Sequence, residues 1–352
     1  MKVLLGMSGG IDSSVAAILL KQKGYHVIGA TLRLGSQTDG VESTTIPPYI
    51  YEAQNLASQL GIEHIVIDVR KEFNELVISY FKNEYLAGKT PNPCAKCNVV
   101  LKWKTLNDIA KQKECNYIAT GHYVNKTMHK GKFYISKGLD PDKEQSFFLW
   151  GLSDEILQKA LFPLGNLSKL EVREIAKNKG FHSLNSKKES TGVCFIAGNN
   201  YQSFLETAFA ETNELPGEGL FVDKNGASLG THKGFPFYTV GQRRGLGLEP
   251  TEPYYVISIN AQTNTIELGQ RSDLYQTEMW VENYNIINKS DFETEVITRI
   301  RYRKQSALSR VEFINSTLLK VTFIEPEWSI APGQTAAFYV GDRLLGGGFI
   351  KG

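Results

Sequence analysis

The chain has only four cysteines in 352 residues, Cys94, Cys97, Cys115 and Cys194. That is too few to staple a secreted scaffold of this size. No apolar run approaches the roughly 18 residues a membrane helix needs. The start, Met1-Lys2-Val3-Leu4-Leu5-Gly6, holds a handful of apolar residues and no small-residue cleavage site, so no export signal is expected. Charge of one sign is lacking too: 39 Lys+Arg against 37 Asp+Glu leave +2. Contact with nucleic acid must therefore come from local patches rather than from the overall field. The expected setting is a reducing cytoplasm, where a Cys-x-x-Cys pair points to redox, metal or sulfur chemistry rather than to cross-linking. A composition 41% hydrophobic and 22% charged excludes long disorder. At roughly 150 residues per domain, two or three domains are expected.

What is present is an alternation of short apolar runs and helical patterns over the first two-thirds. This predicts βα units and a mostly parallel sheet, an α/β arrangement. Val3–Met7, Tyr25–Leu32, Glu63–Val69 and Asn116–Thr120 read as strands. Val15–Lys23, Tyr51–Leu60, Phe73–Ala87, Lys104–Lys113, Ser153–Ala160 and Lys169–Lys179 read as helices. Leu34 to Tyr49 is polar and without period, and reads as a surface loop. After about Phe204, period-two runs take over: Gly219–Val222, Tyr254–Ile259, Thr265–Leu268, Glu295–Tyr302, Leu318–Phe323 and Thr335–Tyr339. Such runs predict small β domains, barrels among them. The expected units are 1–203, 204–272 and 273–352.

The strongest local signal is Ser8-Gly9-Gly10-Ile11-Asp12-Ser13-Ser14, between the first strand and the first helix. Glycines let backbone N–H groups approach phosphate oxygens, the serines add hydroxyl donors, and the helix presents its positive end. Asp12 is expected to hold Mg²⁺ through water or to cap the helix. The Walker lysine is absent. A tight βα turn is the plainer alternative, but the full run in this context reads as a pyrophosphate cradle.

The second signal is Thr90-Pro91-Asn92-Pro93-Cys94-Ala95-Lys96-Cys97-Asn98. Two prolines suggest that both thiols are presented from a loop, with Lys96 and Lys102 near enough to lower their pKa. Half of a zinc site is the rival reading, although a second ligand pair is missing. The third signal, Lys187-Lys188-Glu189-Ser190-Thr191-Gly192-Val193-Cys194-Phe195, sets one more thiol in a basic, flexible stretch. Taken alone, Cys194 reads as a small buried hydrophobe; beside the other two motifs it becomes a partner thiol. Cys115 and the histidines at 26, 64, 129, 182 and 232 read as structural or surface residues.

Gly121-His122-Tyr123 follows a strand, at the end where open α/β sheets bind ligands. His122 is either a contact there or simply hydrogen-bonded. In the β-rich part, Gly241-Gln242-Arg243-Arg244-Gly245-Leu246-Gly247 suits a phosphate backbone. Arg299, Arg301 and Arg303, followed by Lys304, are expected to share one strand face suited to RNA, a solvated face being the alternative.

Together these motifs resemble the tRNA-uridine 2-sulfurtransferases, the 2-thiouridylases of the MnmA/TrmU family. The resemblance rests on Ser-Gly-Gly-x-Asp-Ser, Thr-Pro-Asn-Pro-x-x-x-Cys-Asn, Ala-Thr-Gly-His-Tyr, Asp-x-x-x-Gln-Ser-x-Phe and Ser-Thr-Gly-x-Cys-Phe-Ile. It continues through Tyr-Thr-Val-Gly-Gln-Arg-Arg-Gly-Leu-Gly, Arg-Tyr-Arg and Pro-Gly-Gln-x-Ala-x-Phe-Tyr, so it runs from Gly6 to about Gly348. It implies an N-terminal ATP-pyrophosphatase domain, a small central domain and a C-terminal β-barrel. It also implies ATP and Mg²⁺, with the tRNAs for Lys, Glu and Gln as substrates, modified at wobble uridine 34. A persulfide-donor protein as the source of sulfur is implied as well.

By the same resemblance Gly6, Met7, Ser8, Gly9, Gly10, Ile11, Asp12 and Ser13 form the ATP loop, with Leu32 and Gly121 as further nucleotide contacts. Asn92, Pro93 and Cys94 belong to the target-base loop. Cys97 aligns with the nucleophile and Cys194 with the persulfide carrier. His122, Lys143, Glu144, Gln145, Arg301, Tyr302 and Gln334 align with tRNA contacts. One departure stands out: many members carry Asp where this chain has Cys94. That thiol could relay sulfur, or join Cys97 and Cys194 around an iron–sulfur cluster.

Overall fold

A computed structural model describes residues 1–35, 43–181, 192–196, 198, 200–210, 212, 214–248, 252–303 and 306–352. Five parallel strands make the first sheet: β1 (Lys2–Gly6), β2 (His26–Arg33), β3 (Glu63–Asp68), β4 (Tyr117–Ala119) and β7 (Ala160–Leu161), in the order β3-β2-β1-β4-β7. Val3, Leu4 and Leu5 are fully buried, as expected of a strand covered on both faces. Because β1 pairs with β2 on one side and β4 on the other, the chain leaves it in opposite directions. The crevice at the carboxyl ends of β1 and β4 is therefore a topological switch point.

Helix Ile11–Gln22 follows β1, and Lys169–Asn178 opens with a Ser168/Glu171 capping box. Helical turns Arg70–Phe73, Asn74–Ile78 and Ser79–Leu86 run on from one another, the middle one wound as a π-turn. The same device joins Pro93–Cys97, Asn98–Lys102 and Trp103–Gln112. Single π-turns of this kind concentrate at functional sites.

The central sheet contains β8 (Gly219–Val222), β9 (Ser228–His232), β10 (Tyr255–Asn260) and β11 (Thr265–Gly269) in the order β10-β11-β8-β9. Its core, with Phe221, Val256, Ile266 and Leu268, is continuous with Phe81, Tyr85, Cys97 and Phe195 of the first domain. The third sheet contains β12 (Tyr275–Ile286), β13 (Val296–Arg299), β14 (Ser306–Phe313), β15 (Leu318–Trp328), β16 (Thr335–Val340) and β17 (Arg343–Ile350). Pairing of β12 with β17, as well as with β15, closes these six strands into a barrel.

Sequence patterns did not show one hairpin, β5 (Val124–His129) and β6 (Lys132–Lys137). Lys130 at φ 47° and Gly131 at φ 76° make its two-residue turn, the left-handed pair that matches strand twist. The hairpin leaves the parallel sheet and joins the barrel sheet through Ser136 opposite Arg343. Tyr134, fully buried, sits in the barrel core and donates to Asp291 Oδ2 at 2.6 Å. The run expected as a strand over Glu295–Tyr302 is shorter, Val296–Arg299.

Candidate functional site: a thiol-lined cleft beside the glycine loop

At the switch point lies a cleft of about 680 Å³, lined by the glycine loop, the end of β2, the Pro93–Cys97 helix and Cys194. Met7, Ser8, Asp12, Ser13, Leu32 and Gly121 all face it, with Cys94, Cys97, His122 and Gln145. Pro47, Pro48 and Tyr49 of the expected loop line it too; residues 36–42 of that loop lie outside the described residues.

The glycine loop is shaped as its sequence demands. Gly9 has φ 72°, and a Cβ there would run into the Tyr49 carbonyl. A Cβ on Gly121 would lie 3.0 Å from the Asp12 carbonyl carbon and the Ser13 nitrogen, so only glycine lets β4 approach the helix start so closely. Gly10 is the N-cap of helix Ile11–Gln22 and supplies no side-chain cap. The first-turn N–H groups, at the positive end of the helix, therefore suit an anion. Two expectations change here. Asp12 does not cap the helix: its Oδ1 accepts from Tyr123 Oη at 2.6 Å and from Lys169 Nζ at 2.6 Å. Ser13 and Ser14 turn their hydroxyls back onto Gly10 O, at 3.0 and 2.8 Å, so Ser8 is the serine left exposed at the loop.

The thiols are on a helix, not on a loop. Pro93 occupies the first turn, where its fixed φ fits and no N–H is missed, and Asn92 Oδ1 caps it by accepting from Ala95 N at 3.1 Å. Cys97 is 8% exposed and Cys94 half-buried. The expected low thiol pKa is also overturned. Burial pushes Cys97 and Cys94 up, and Lys102 only partly offsets it. Lys96 does not help, because its ammonium lies over the Tyr80 ring, 4.9 Å from the centroid. Cys194 opens to solvent, yet protein crowds it on the cleft wall; burial first, then the neighbouring Cys94 and Cys97, push it up to about 12. Its neighbour Phe195 anchors it, packed edge-on against Phe73, Phe81 and Phe204. Lys187 and Lys188, expected to make this stretch basic, lie outside the described residues. Among the described residues, no three His, Cys, Asp or Glu side chains converge as a metal-holding group.

His122 joins the cleft wall, its Nδ1 2.7 Å from Thr120 Oγ1 and its ring stacked on Trp103. Burial, helped by Lys102, holds its pKa down to about 3, so it is a neutral hydrogen-bonding group. Gln145 reaches the cleft while its Oε1 accepts from Tyr123 N at 3.1 Å. Lys143 is half-exposed in the turn just before.

The remaining expected RNA contacts are engaged within the protein. Glu144 is buried and ion-paired with Arg299 at 2.9 Å. Arg301 donates to Ser329 O at 3.1 Å and lies over the Trp328 ring. Tyr302 packs on Phe148 at 4.7 Å, and Gln334 donates to Thr90 O at 2.9 Å. The shared face of Arg299, Arg301 and Arg303 does not form, because β13 ends at Arg299 and the chain bends there; Lys304 lies outside the described residues. The Gly241–Gly247 turn lines a separate depression with Pro253 and Tyr254. Cys115 stays at the amino end of β4, outside the cleft. Lys169, which with Tyr123 of the Gly-His-Tyr run holds Asp12, escaped sequence reading: it is 157 residues away and no local pattern marks it.

A parallel sheet with a glycine loop at its switch point and thiols across the crevice defines a nucleotide-binding domain equipped for sulfur chemistry. The family models agree. Residues 1–198 match the tRNA methyl transferase HUP domain, 202–270 the tRNA methyl transferase PRC-barrel domain, and 276–350 the aminomethyltransferase beta-barrel domain. A curated relative, tRNA-specific 2-thiouridylase MnmA 3 of Phocaeicola vulgatus, is 44% identical over 99% of this chain and 94% of its own. MnmA 1 of Bacteroides fragilis is also 44% identical, over 99% and 97%, and MnmA of Cytophaga hutchinsonii 40%, over 99% and 97%. The chain belongs to the tRNA-specific 2-thiouridylase (MnmA) family.

Proposed function

We propose that this tRNA-uridine 2-sulfurtransferase thiolates the wobble uridine, position 34, of the tRNAs for Lys, Glu and Gln, using ATP. The observation that carries the reading is the shared cleft, which sets the glycine loop and the Cys97 and Cys194 thiols around one space. Residues 1–203 perform the chemistry in this reading, 204–272 form the central domain, and 273–352 hold the RNA.

A uracil C2 oxygen is a poor leaving group until adenylation lets it depart as AMP. The loop from Gly6 to Ser13 binds the phosphates through backbone N–H groups, and Leu32 flanks the adenine. Mg²⁺, when bound with ATP, neutralises the departing pyrophosphate. Asp12 would be the residue to hold that ion, directly or through water: it is the one carboxylate among the described cleft residues, with its Oδ1 fixed by Tyr123 and Lys169.

For sulfur, Cys194 carries sulfane sulfur from a donor protein as a persulfide. The Cys97 thiolate attacks the Cys194 sulfur, the persulfide S–S bond breaks, and hydrosulfide leaves beside the activated C2. Hydrosulfide displaces AMP, and the resulting Cys97–Cys194 disulfide takes two electrons from an external thiol. The base is flipped out of its stack to reach this space. Cys94 is a third thiol on the same wall, able to relay sulfur. We derive no step through an iron–sulfur cluster, because the three thiols do not converge as a ligand set. A cytoplasmic setting supplies the ATP and reducing thiols the cycle consumes.

The test is nucleoside mass spectrometry of unmodified tRNA(Glu) incubated with the protein, ATP, Mg²⁺ and a persulfide donor. We expect 2-thiouridine at position 34 and tRNA-dependent pyrophosphate release. Cys97→Ser should lose thiolation while keeping pyrophosphate release. Thiolation that survives this substitution would overturn the assignment of Cys97, and thiolation that fails without iron in air-free samples would replace the persulfide route with a cluster.

A further inference from the structure

The segment that leads into the Pro93–Cys97 helix is held by the rim of the β-barrel. Gln334 Nε2 donates to Thr90 O at 2.9 Å and to Pro91 O at 3.3 Å. Thr90 N donates in return to Pro332 O at 2.8 Å. Gly333, at φ 85°, lies so close that a Cβ would come within 3.0 Å of Thr90 O. The rim turn is itself fixed: Gly333 N donates to Ile350 O at 2.8 Å and Ile350 N to Gln334 O at 2.7 Å. From the central domain, Thr239 Oγ1 lies 3.3 Å from Thr90 Oγ1.

Between Thr90 and Cys97 stand Pro91 and Pro93, whose rings fix φ. Displacement at Thr90 is therefore carried to Cys97 rather than absorbed. We infer that Gln334 is a positioning residue for Cys97: its amide clamps the segment that carries the nucleophile onto the barrel. The role of Cys97 as nucleophile rests on the function proposed above; the clamp does not. Gln334 was expected from the family resemblance to contact tRNA, and in the free protein its amide nitrogen is committed to Thr90 and Pro91. The clamp is neutral, so it holds across the pH range in which the thiols titrate.

The test is alkylation of the free, full-length protein by iodoacetamide, followed peptide by peptide. Trypsin separates Cys94 from Cys97 at Lys96, and Cys115, outside the cleft, serves as an internal clock for global opening. In Gln334→Ala, with no tRNA present, we expect Cys97 to react roughly fivefold faster, the scale of one lost hydrogen bond, with Cys115 unchanged. Gly333→Ala, which pushes the same segment outward, should act in the same direction. In thiolation assays kcat should fall by a similar factor with KM for tRNA little changed. Unchanged Cys97 alkylation together with a raised KM for tRNA would overturn the inference and leave Gln334 a plain RNA contact. Faster alkylation in a protein that shows no thiolation at all would keep the clamp and discard the proposed function.

Discussion

Within each motif the chemistry-bearing residues stand a few positions apart, which is why the motifs are legible in sequence. The glycines of the loop, the Cys-x-x-Cys pair and the Gly-His-Tyr run each declare their chemistry locally. Their electrostatic environment does not. Lys96 lies between the two thiols in sequence, yet its charge goes to Tyr80, and the cation that acts on them is Lys102. Lys102 lowers the thiol pKa of Cys97 and also lowers that of His122. Lys102→Met should therefore move the Cys97 alkylation profile to higher pH. Because less thiolate is present at neutral pH, thiolation there should fall by roughly three- to tenfold and recover as pH rises. A rate loss that is the same at every pH would show that Lys102 acts by another route. His122 stays uncharged in either protein at neutral pH, so no titration near pH 6 should be assigned to it.

Among the elements, four of the five parallel strands and their helices followed from hydrophobic period, because a strand buried on both faces and a helix with one apolar stripe each leave a distinct signature; β7, two residues long and read as the end of a helix, did not. The thiol helix did not, because two prolines around Asn92 argue for a loop unless one of them falls in the first helical turn, where it is welcome. The β5–β6 hairpin was hidden for a different reason. Its strand Val124–His129 is mostly polar, and its only strong signal is the turn. At the glycine loop the element itself sets a demand that a single methyl group breaks. Gly9→Ala, at φ 72° with the Tyr49 carbonyl in the way, should cost about 1–3 kcal/mol in urea unfolding. ATP-dependent pyrophosphate release should fall with it. Parental values for both would show that the loop yields and that close packing there is not required.

For the molecule as a whole, sequence gave no sign that the first domain reaches into the third. The pairs that join them are too distant to leave a local pattern: Ser146 and Tyr339 bond at 2.9 Å across 193 residues, and Arg299 and Glu144 across 155. Tyr134 fills the barrel core from the hairpin. Tyr134→Ala should cost about 3–5 kcal/mol, read as a lower urea midpoint. Trp103 packs on His122 and Phe162 in the first domain and Trp280 stands in the barrel, and their fluorescence should still change in one transition. If only the barrel signal moved, the two units would be independent rather than joined through the hairpin.

That joining has a consequence for how the chain is made. Lys137 takes its partners from Gly341 O, 204 residues further on. At about 5–20 residues per second, the ribosome needs some ten to forty seconds to deliver the strand that the hairpin pairs with. Until then Tyr134 has no core to enter, and closing so long a loop is slow as well as late. Tyr134 and Ile135, both buried in the finished fold, are therefore open to capture by a chaperone until the barrel closes around them. Folding yield should depend on the hairpin before any thiol or nucleotide matters.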